Sequence, residues 1–254
     1  YASNQRLLIT RDVTQIERLE TTRRDFVANV SHELRTPLTV LAGFLETLRD
    51  MPADALPAEQ REQYIDMMHE QAQRMQAIVE DLLTLSTLES SPGSDPRAVN
   101  MGALLQKARQ QIEALSGGRH VLEWHIDESL DVLGAETELT SALSNLLTNA
   151  VRYTPDGGTI TVRWAREEDG GARYSVQDTV IGIPARHLPR LTERFYRVDR
   201  GRSRAVGGTG LGLAITKHIA MRHEAVLLIT SEPGKGSVFA LRFPPDRIAI
   251  DSPA

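Results

Sequence analysis

The sequence predicts an α+β protein: a dimerising antiparallel helical hairpin, which makes a four-helix bundle in the dimer, followed by an α/β sandwich. Three observations carry this. Two long stretches repeat apolar residues at spacings of three and four. The run Ser90-Ser-Pro-Gly-Ser-Asp-Pro96 then breaks the pattern. Beyond it, helical and alternating patterns interleave to the C-terminal end.

Gln5 to Asp12 is a short β-like run, expected to be the last strand of something upstream. From about Val13 to Asp50 the pattern is helical, with Val27, Val30, Leu34, Leu38, Leu41, Leu45 and Leu48 as its seam. Two prolines make 51–57 a loop. The second helix spans about Ala58 to Glu89; Ile65, Met68, Ala72, Met75, Val79 and Leu82 form its seam. Tyr64, Met67, Ile78 and Leu85 widen that stripe beyond what one partner helix covers, so two hairpins are expected to pair as a homodimer. After the linker 91–96, helices are expected at Met101–Leu115 and Glu136–Arg152. Strands are expected at Val121–Ile126, Thr159–Ala165, Tyr174–Asp178, Ala225–Ser231 and Ser237–Phe243, with a helix through Ala214–Arg222. This divides the chain into 1–12, a hairpin domain 13–90, a sandwich domain 97–246 and a tail 247–254.

At 254 residues the chain has room for two modest domains. A net charge of −5 gives no reason to expect nucleic-acid binding. Without cysteine there are neither disulfides nor thiolate zinc sites, which fits a reducing cytoplasm. No apolar run approaches the ~18 residues of a membrane span. The chain opens on Tyr1 rather than methionine, so it is expected to be a fragment of a longer protein; any membrane anchor would lie upstream, with this portion cytoplasmic.

His32 and Glu33 sit in Ser31-His-Glu-Leu-Arg-Thr-Pro-Leu38, where Pro37 interrupts a helical pattern. A neutral imidazole can attack phosphorus, and an adjacent carboxylate can orient it and take its proton. Thr36 lies one turn along the same face, where a hydroxyl could position a water. A solvated helix with a chance His-Glu pair gives the same pattern. Asn145 and Asn149 also share a helical face; amide oxygens are hard ligands suited to Mg²⁺, and capping or solvent-facing amides are the alternative. Asp178, ending a strand, could accept from an exocyclic amine or be a plain turn residue. Gly207-Gly-Thr-Gly-Leu-Gly-Leu213 opens a helix, an arrangement that lets backbone N–H groups approach phosphates. It lacks the Lys-Ser/Thr of a Walker loop and the strand context of a dinucleotide fold. Arg197, Arg200, Arg202 and Arg204 precede it as a basic lid or a solvated loop.

Taken together these segments resemble, over nearly the whole chain, the bacterial sensor histidine kinases. Ser31–Leu38 is similar to the family's phosphoacceptor box, and Asn145–Tyr153 to its asparagine box. Asp178–Ile183, Gly208–Leu213 and Gly234–Ser237 are similar to its glycine boxes, and Glu193–Arg197 to its phenylalanine box. Within the family, Leu188–Asp199 and His223–Ala225 look like the phosphate-regulon sensors, and Leu7–Leu19 like the exit from a PAS sensor domain.

The resemblance implies autophosphorylation of His32 from Mg·ATP and transfer to an aspartate of a response-regulator receiver domain, in phosphate-starvation signalling. It implies dephosphorylation of that regulator as well. Glu33 would be the base, Thr36 would position water, and Arg35 would belong to the same catalytic box. Asn149 would hold Mg²⁺ with the ATP phosphates, and Asn145 would lie near those phosphates. Arg152, Tyr153, Asp178, Gly182, Ile183, Tyr196, Arg197, Gly208, Thr209, Gly210, Leu211 and Gly212 would line the nucleotide, with Asp178 reading the adenine amine. One departure stands out: Val180 occupies a position where the family's first glycine box has glycine. If that backbone needs a left-handed φ, valine costs about 1–2 kcal/mol, and a nucleotide-impaired scaffold or regulator phosphatase becomes the alternative.

Overall fold

The computed structural model describes residues 14–52, 56–91, 96–179, 181–198 and 208–249. These fall into two compact units divided between Met75 and Gln76. Val180, residues 1–12, and Arg200, Arg202, Arg204 and Gly207 lie outside the described residues.

The first unit is a pair of antiparallel helix segments. Helix α1 spans Thr14–Asp50 and α2 spans Ala58–Ser90, of which residues 58–75 belong here. Contacts follow an antiparallel order: the rings of Phe44 and Tyr64 lie 5.0 Å apart, and farther from the turn Glu33 meets Arg74. The helix does not stop at Pro37, which is buried inside it. Proline removes one backbone donor, and three hydroxyls around it bond back four residues: Ser31 to the Val27 carbonyl (2.9 Å), Thr36 to His32 (3.2 Å) and Thr39 to Arg35 (2.9 Å). Much of the expected seam is open in the single chain. Val27, Leu38 and Leu45 are each more than half exposed, at 56%, 56% and 57%.

In the second unit, the C-terminal half of α2 buries Ile78, Leu85 and Leu88. Strand β1 (Arg97–Val99) leads into α3 (Met101–Ser116), which Asn100 caps by accepting from the Ala103 N–H (2.6 Å) and Gly117 ends in a left-handed conformation. Then come β2 (Val121–Ile126), β3 (Asp131–Gly134), α4 (Glu136–Tyr153), β4 (Thr159–Arg166) and β5 (Ala172–Asp178). A 3₁₀ turn (Ala185–Arg190), α5 (Gly212–Arg222), β6 (Val226–Glu232), β7 (Gly236–Phe243) and β8 (Ile248–Ala249) complete the unit.

The main sheet has the order β2-β4-β5-β7-β6, with β2 parallel to β4 and the other pairs antiparallel. Registers Val162↔Val176↔Phe239 and Trp164↔Tyr174↔Leu241 place these buried side chains on one face. Helix α4 turns Leu139, Leu143, Leu146 and Leu147 inward, all fully buried. Trp164 packs edge-on to Phe243 at 5.9 Å and donates its indole N–H to the Leu130 carbonyl. This is the expected mixed sheet with helices over one face.

A second sheet, β1-β3-β8, was not anticipated. Its strands have two to four residues, too few to show a period. Because β8 pairs with β3, at least residues 248 and 249 of the expected tail belong to the sandwich.

Candidate functional site

His32 is exposed on α1. Its neighbour Glu33 is largely covered and accepts from Arg74 of α2 at 3.1 Å. The Thr36 hydroxyl donates to the His32 carbonyl, which keeps it one turn from the imidazole with its lone pairs available. Arg35 is exposed beside them.

The second unit holds a cavity of about 470 Å³. It gathers Asn145, Asn149, Arg152 and Tyr153 from α4, Asp178 from β5, Gly182 and Ile183 after it, Tyr196 and Arg197, and Gly208, Thr209, Gly210 and Gly212. Four stretches far apart in sequence thus meet at one place. Leu211 is the exception: it is fully buried and does not line the cavity, standing at the cap position just before α5.

Each wall has a local cause. Asp178 shares the covered sheet face with Ile160 and Ser237 and is 7% exposed. Its Oδ1 accepts from the Ser237 N–H at 3.1 Å. Gly182 has φ +68°, and a Cβ there would stand 2.1 Å from the Glu232 carbonyl oxygen, so only glycine fits. The Ile183 N–H donates to Ser231 Oγ at 2.7 Å, tying this loop to β6. Gly236 leaves room for the Asp178 carbonyl, 2.0 Å from where its Cβ would lie, which explains the third glycine box. Asn145 donates from Nδ2 to the Gly212 carbonyl (3.2 Å), so this amide also anchors the glycine-rich segment. Phe195 adopts φ +62°, unusual for a residue with a side chain, and donates its N–H to the Gly210 carbonyl at 2.8 Å.

Sequence reasoning missed several lining residues. Ala77 and Asp81 come from α2, whose seam pattern says nothing about the face they occupy. The Thr209 hydroxyl donates to Asp81 Oδ2 at 2.6 Å. Burial raises the Asp81 carboxyl above its ordinary value, while the Thr209 hydrogen bond and Arg152 pull it back down. Thr148, Leu191, Ser237 and Phe239 also line the cavity; strand alternation could have flagged the last two. His187 Nδ1 lies 2.6 Å from the Tyr196 hydroxyl, and the Arg190 guanidinium stacks 4.2 Å over the Tyr196 ring. Among the described residues no cluster of three histidine or carboxylate side chains could hold a metal.

Residues 22–91 match the His Kinase A (phospho-acceptor) domain, and residues 134–247 match the Histidine kinase-, DNA gyrase B-, and HSP90-like ATPase family. The chain belongs to the sensor histidine kinases, and its sandwich is an ATP-binding domain. Within them it is of the phosphate-regulon sensor type. It is 52% identical to the phosphate regulon sensor protein PhoR of Pseudomonas aeruginosa over 98% of its length, and 38% identical to PhoR of Haemophilus influenzae over 96%. The chain spans 56% of the length of each of these relatives. Among solved structures it is similar to histidine kinase ThkA in complex with response regulator protein TrrA. That match has a TM-score of 0.71 at 20% identity, covering 93% of this chain and 67% of the other. The Acinetobacter baumannii histidine kinase AdeS gives 0.68 at 23%, covering 85% and 98%. At such identities these two matches speak for the fold. Among the described residues no helix is long and apolar enough to cross a membrane.

Proposed function

We propose that this chain transfers the γ-phosphoryl group of ATP to His32 and then to an aspartate of a response-regulator receiver domain, in a pathway that reports phosphate supply. The observation that carries this is the convergence of Asn145, Asn149, Asp178, Gly182 and the Gly208–Gly212 segment on one cavity of the ATP-binding unit.

The chain's own residues divide the work. Buried Asp178, held by the Ser237 N–H, accepts from the adenine amine. Backbone N–H groups at the start of α5 and the Arg152 and Arg197 guanidinium groups face the phosphates. The donor set suits Mg²⁺ held jointly with phosphate oxygens: the Asn149 side-chain amide lines the cavity with Asn145 beside it. When bound, Mg²⁺ neutralises charge on the phosphates. His32 supplies the nucleophilic ring nitrogen, Glu33 takes the proton and Arg35 lies beside them. Catalysis rests on positioning and charge. Thr36 holds the attacking water when the regulator is dephosphorylated.

We further assign residues 13–90 to dimerisation and phosphotransfer and 97–249 to catalysis, with membrane anchoring carried by a longer parent chain. The homodimer reading is supported by the exposed apolar seam of α1. The alternative of a nucleotide-impaired scaffold rests on Val180 alone, and it is not favoured: Asp178 and Gly182 on either side of it both line the cavity.

Titration of the whole chain with a non-hydrolysable ATP analogue and Mg²⁺ tests the site. Micromolar binding that Asp178→Asn weakens at least tenfold is expected. Binding absent up to millimolar analogue would favour the scaffold reading.

A further inference from the structure

Resting on the phosphotransfer reading, we propose that Arg74 is a positioning residue for that reaction, holding Glu33 in place for proton removal from His32. The two residues are 41 positions apart, on opposite helices of the hairpin, and meet through Arg74 Nη2 and Glu33 Oε2 at 3.1 Å. The side chains are only 12% and 18% exposed. The exposed pairs elsewhere, such as Arg49–Asp50 at 74% and 67%, are of a different kind.

A largely buried ion pair is weak as a stability device, because desolvation offsets much of the attraction. This one is also incomplete. Arg74 Nε is buried with no hydrogen-bond partner, a cost that a pair selected for stability would avoid. A single hydrogen bond to Oε2 fixes the carboxylate while leaving Oε1 outside the pairing. That suits a base, which must be oriented yet keep an oxygen for the incoming proton. Fixing a glutamate side chain costs rotamer entropy, and a cross-helix arginine incurs that cost before the reaction begins. The arrangement of nucleophile, base and orienting third group is the general one for activated nucleophiles.

The test is labelling of the whole chain from γ-labelled ATP, with kcat and KM for ATP measured for Arg74→Gln, Arg74→Lys, Glu33→Gln and the Glu33→Gln/Arg74→Gln double variant. Circular dichroism and sedimentation establish that each folds and keeps the oligomeric state of the unaltered chain. Arg74→Gln is expected to lower kcat about 10- to 100-fold, the scale of a base put out of position. KM for ATP should stay within about twofold, and Arg74→Lys should recover part of the rate. In the Glu33→Gln background the Arg74 change should have no further effect on kcat. A labelled wild type with an unimpaired Arg74→Gln variant overturns the role of Arg74 alone. So does an Arg74 effect that persists at full size without Glu33, which would be structural. An unlabelled wild type would overturn the phosphotransfer reading itself, and the Arg74 role with it.

Discussion

The carboxylate of Asp81, on the C-terminal half of α2, accepts a 2.6 Å hydrogen bond from the hydroxyl of Thr209 in the glycine-rich segment. Both residues line the cavity assigned to ATP. An anionic side chain there opposes a triphosphate, while Arg152 on the same wall favours it. Two charges about 10 Å apart at an effective dielectric near 20 interact by roughly 1–2 kcal/mol. Asp81→Asn is therefore expected to tighten ATP binding about fivefold to tenfold at low salt, with less gain at high salt. Calorimetric titration at two ionic strengths checks this; unchanged or weaker binding would contradict it.

The same carboxylate makes a prediction about pH. Burial is the main reason that Asp81 titrates above its ordinary value of 3.8. A group raised on folding contributes stability below its unfolded value and loses it as pH rises through the folded value. At pH 7 the ionised Asp81 is thus a liability that Asp81→Asn removes. The variant should melt higher than the wild type near neutral pH, and the two curves should converge as pH falls toward 3.8.

His223 has the opposite sign. Its Nδ1–H donates to the Ile219 carbonyl (2.8 Å), and its Nε2 accepts from the Ala135 N–H (3.0 Å) at the start of α4. Protonation would set two donors against each other, and burial already lowers the imidazole below 6.5, ahead of the opposing influence of Glu138. A depressed folded value gives stability that is present above 6.5 and lost as pH falls through the folded value. Burial lowers His218 as well, which adds to the slope. His223→Leu should be less stable at pH 7 by about 1–3 kcal/mol, because the Ala135 N–H loses its partner. It should also lose less stability than the wild type between pH 7 and 5 in denaturant titrations.

Gly182→Ala tests the first glycine box without touching Val180. The substitution forces a side chain into φ +68° and against the Glu232 carbonyl. Backbone strain alone costs about 1–2 kcal/mol, and the loop must shift to relieve the clash. ATP affinity is expected to fall at least tenfold while the unit stays folded, measured by titration and thermal melting together.

The hairpin seam makes a separate prediction. Leu38 and Leu45 are more than half exposed in the single chain, so their truncation should affect folding of the second unit little. Leu38→Glu with Leu45→Glu should convert a dimer to a monomer in sedimentation velocity. By contrast Leu146→Ala, at a fully buried site on α4 next to Asn145, should cost about 2–5 kcal/mol and carry the nucleotide site with it.

Long elements were legible because their periods repeat. Both hairpin helices and the five strands of the main sheet fall within a few residues of their expected places. Short elements were not: β1, β3 and β8 are fixed by pairing with one another, which no local window contains. The cavity lining was legible where glycine or asparagine breaks a local rule, as at Gly182, Gly210 and Asn145. It was illegible where an ordinary residue is recruited by tertiary packing. Asp81 reads as one more charge on a helix, Arg74 as another, and His187 as a loop histidine, until each is seen beside Thr209, Glu33 and Tyr196. Pro37 interrupts the helical pattern in the sequence, and the expected helix runs through it, from Thr14 to Asp50.

The most direct measurement is incubation of the whole chain with γ-labelled ATP and Mg²⁺, followed by acid and alkali treatment of the labelled protein. The account predicts label on the wild type that is acid-labile and alkali-stable, as a phosphoramidate is, and none on His32→Ala. Label persisting at the same level in His32→Ala, or no label on the wild type at any ATP concentration, would contradict it.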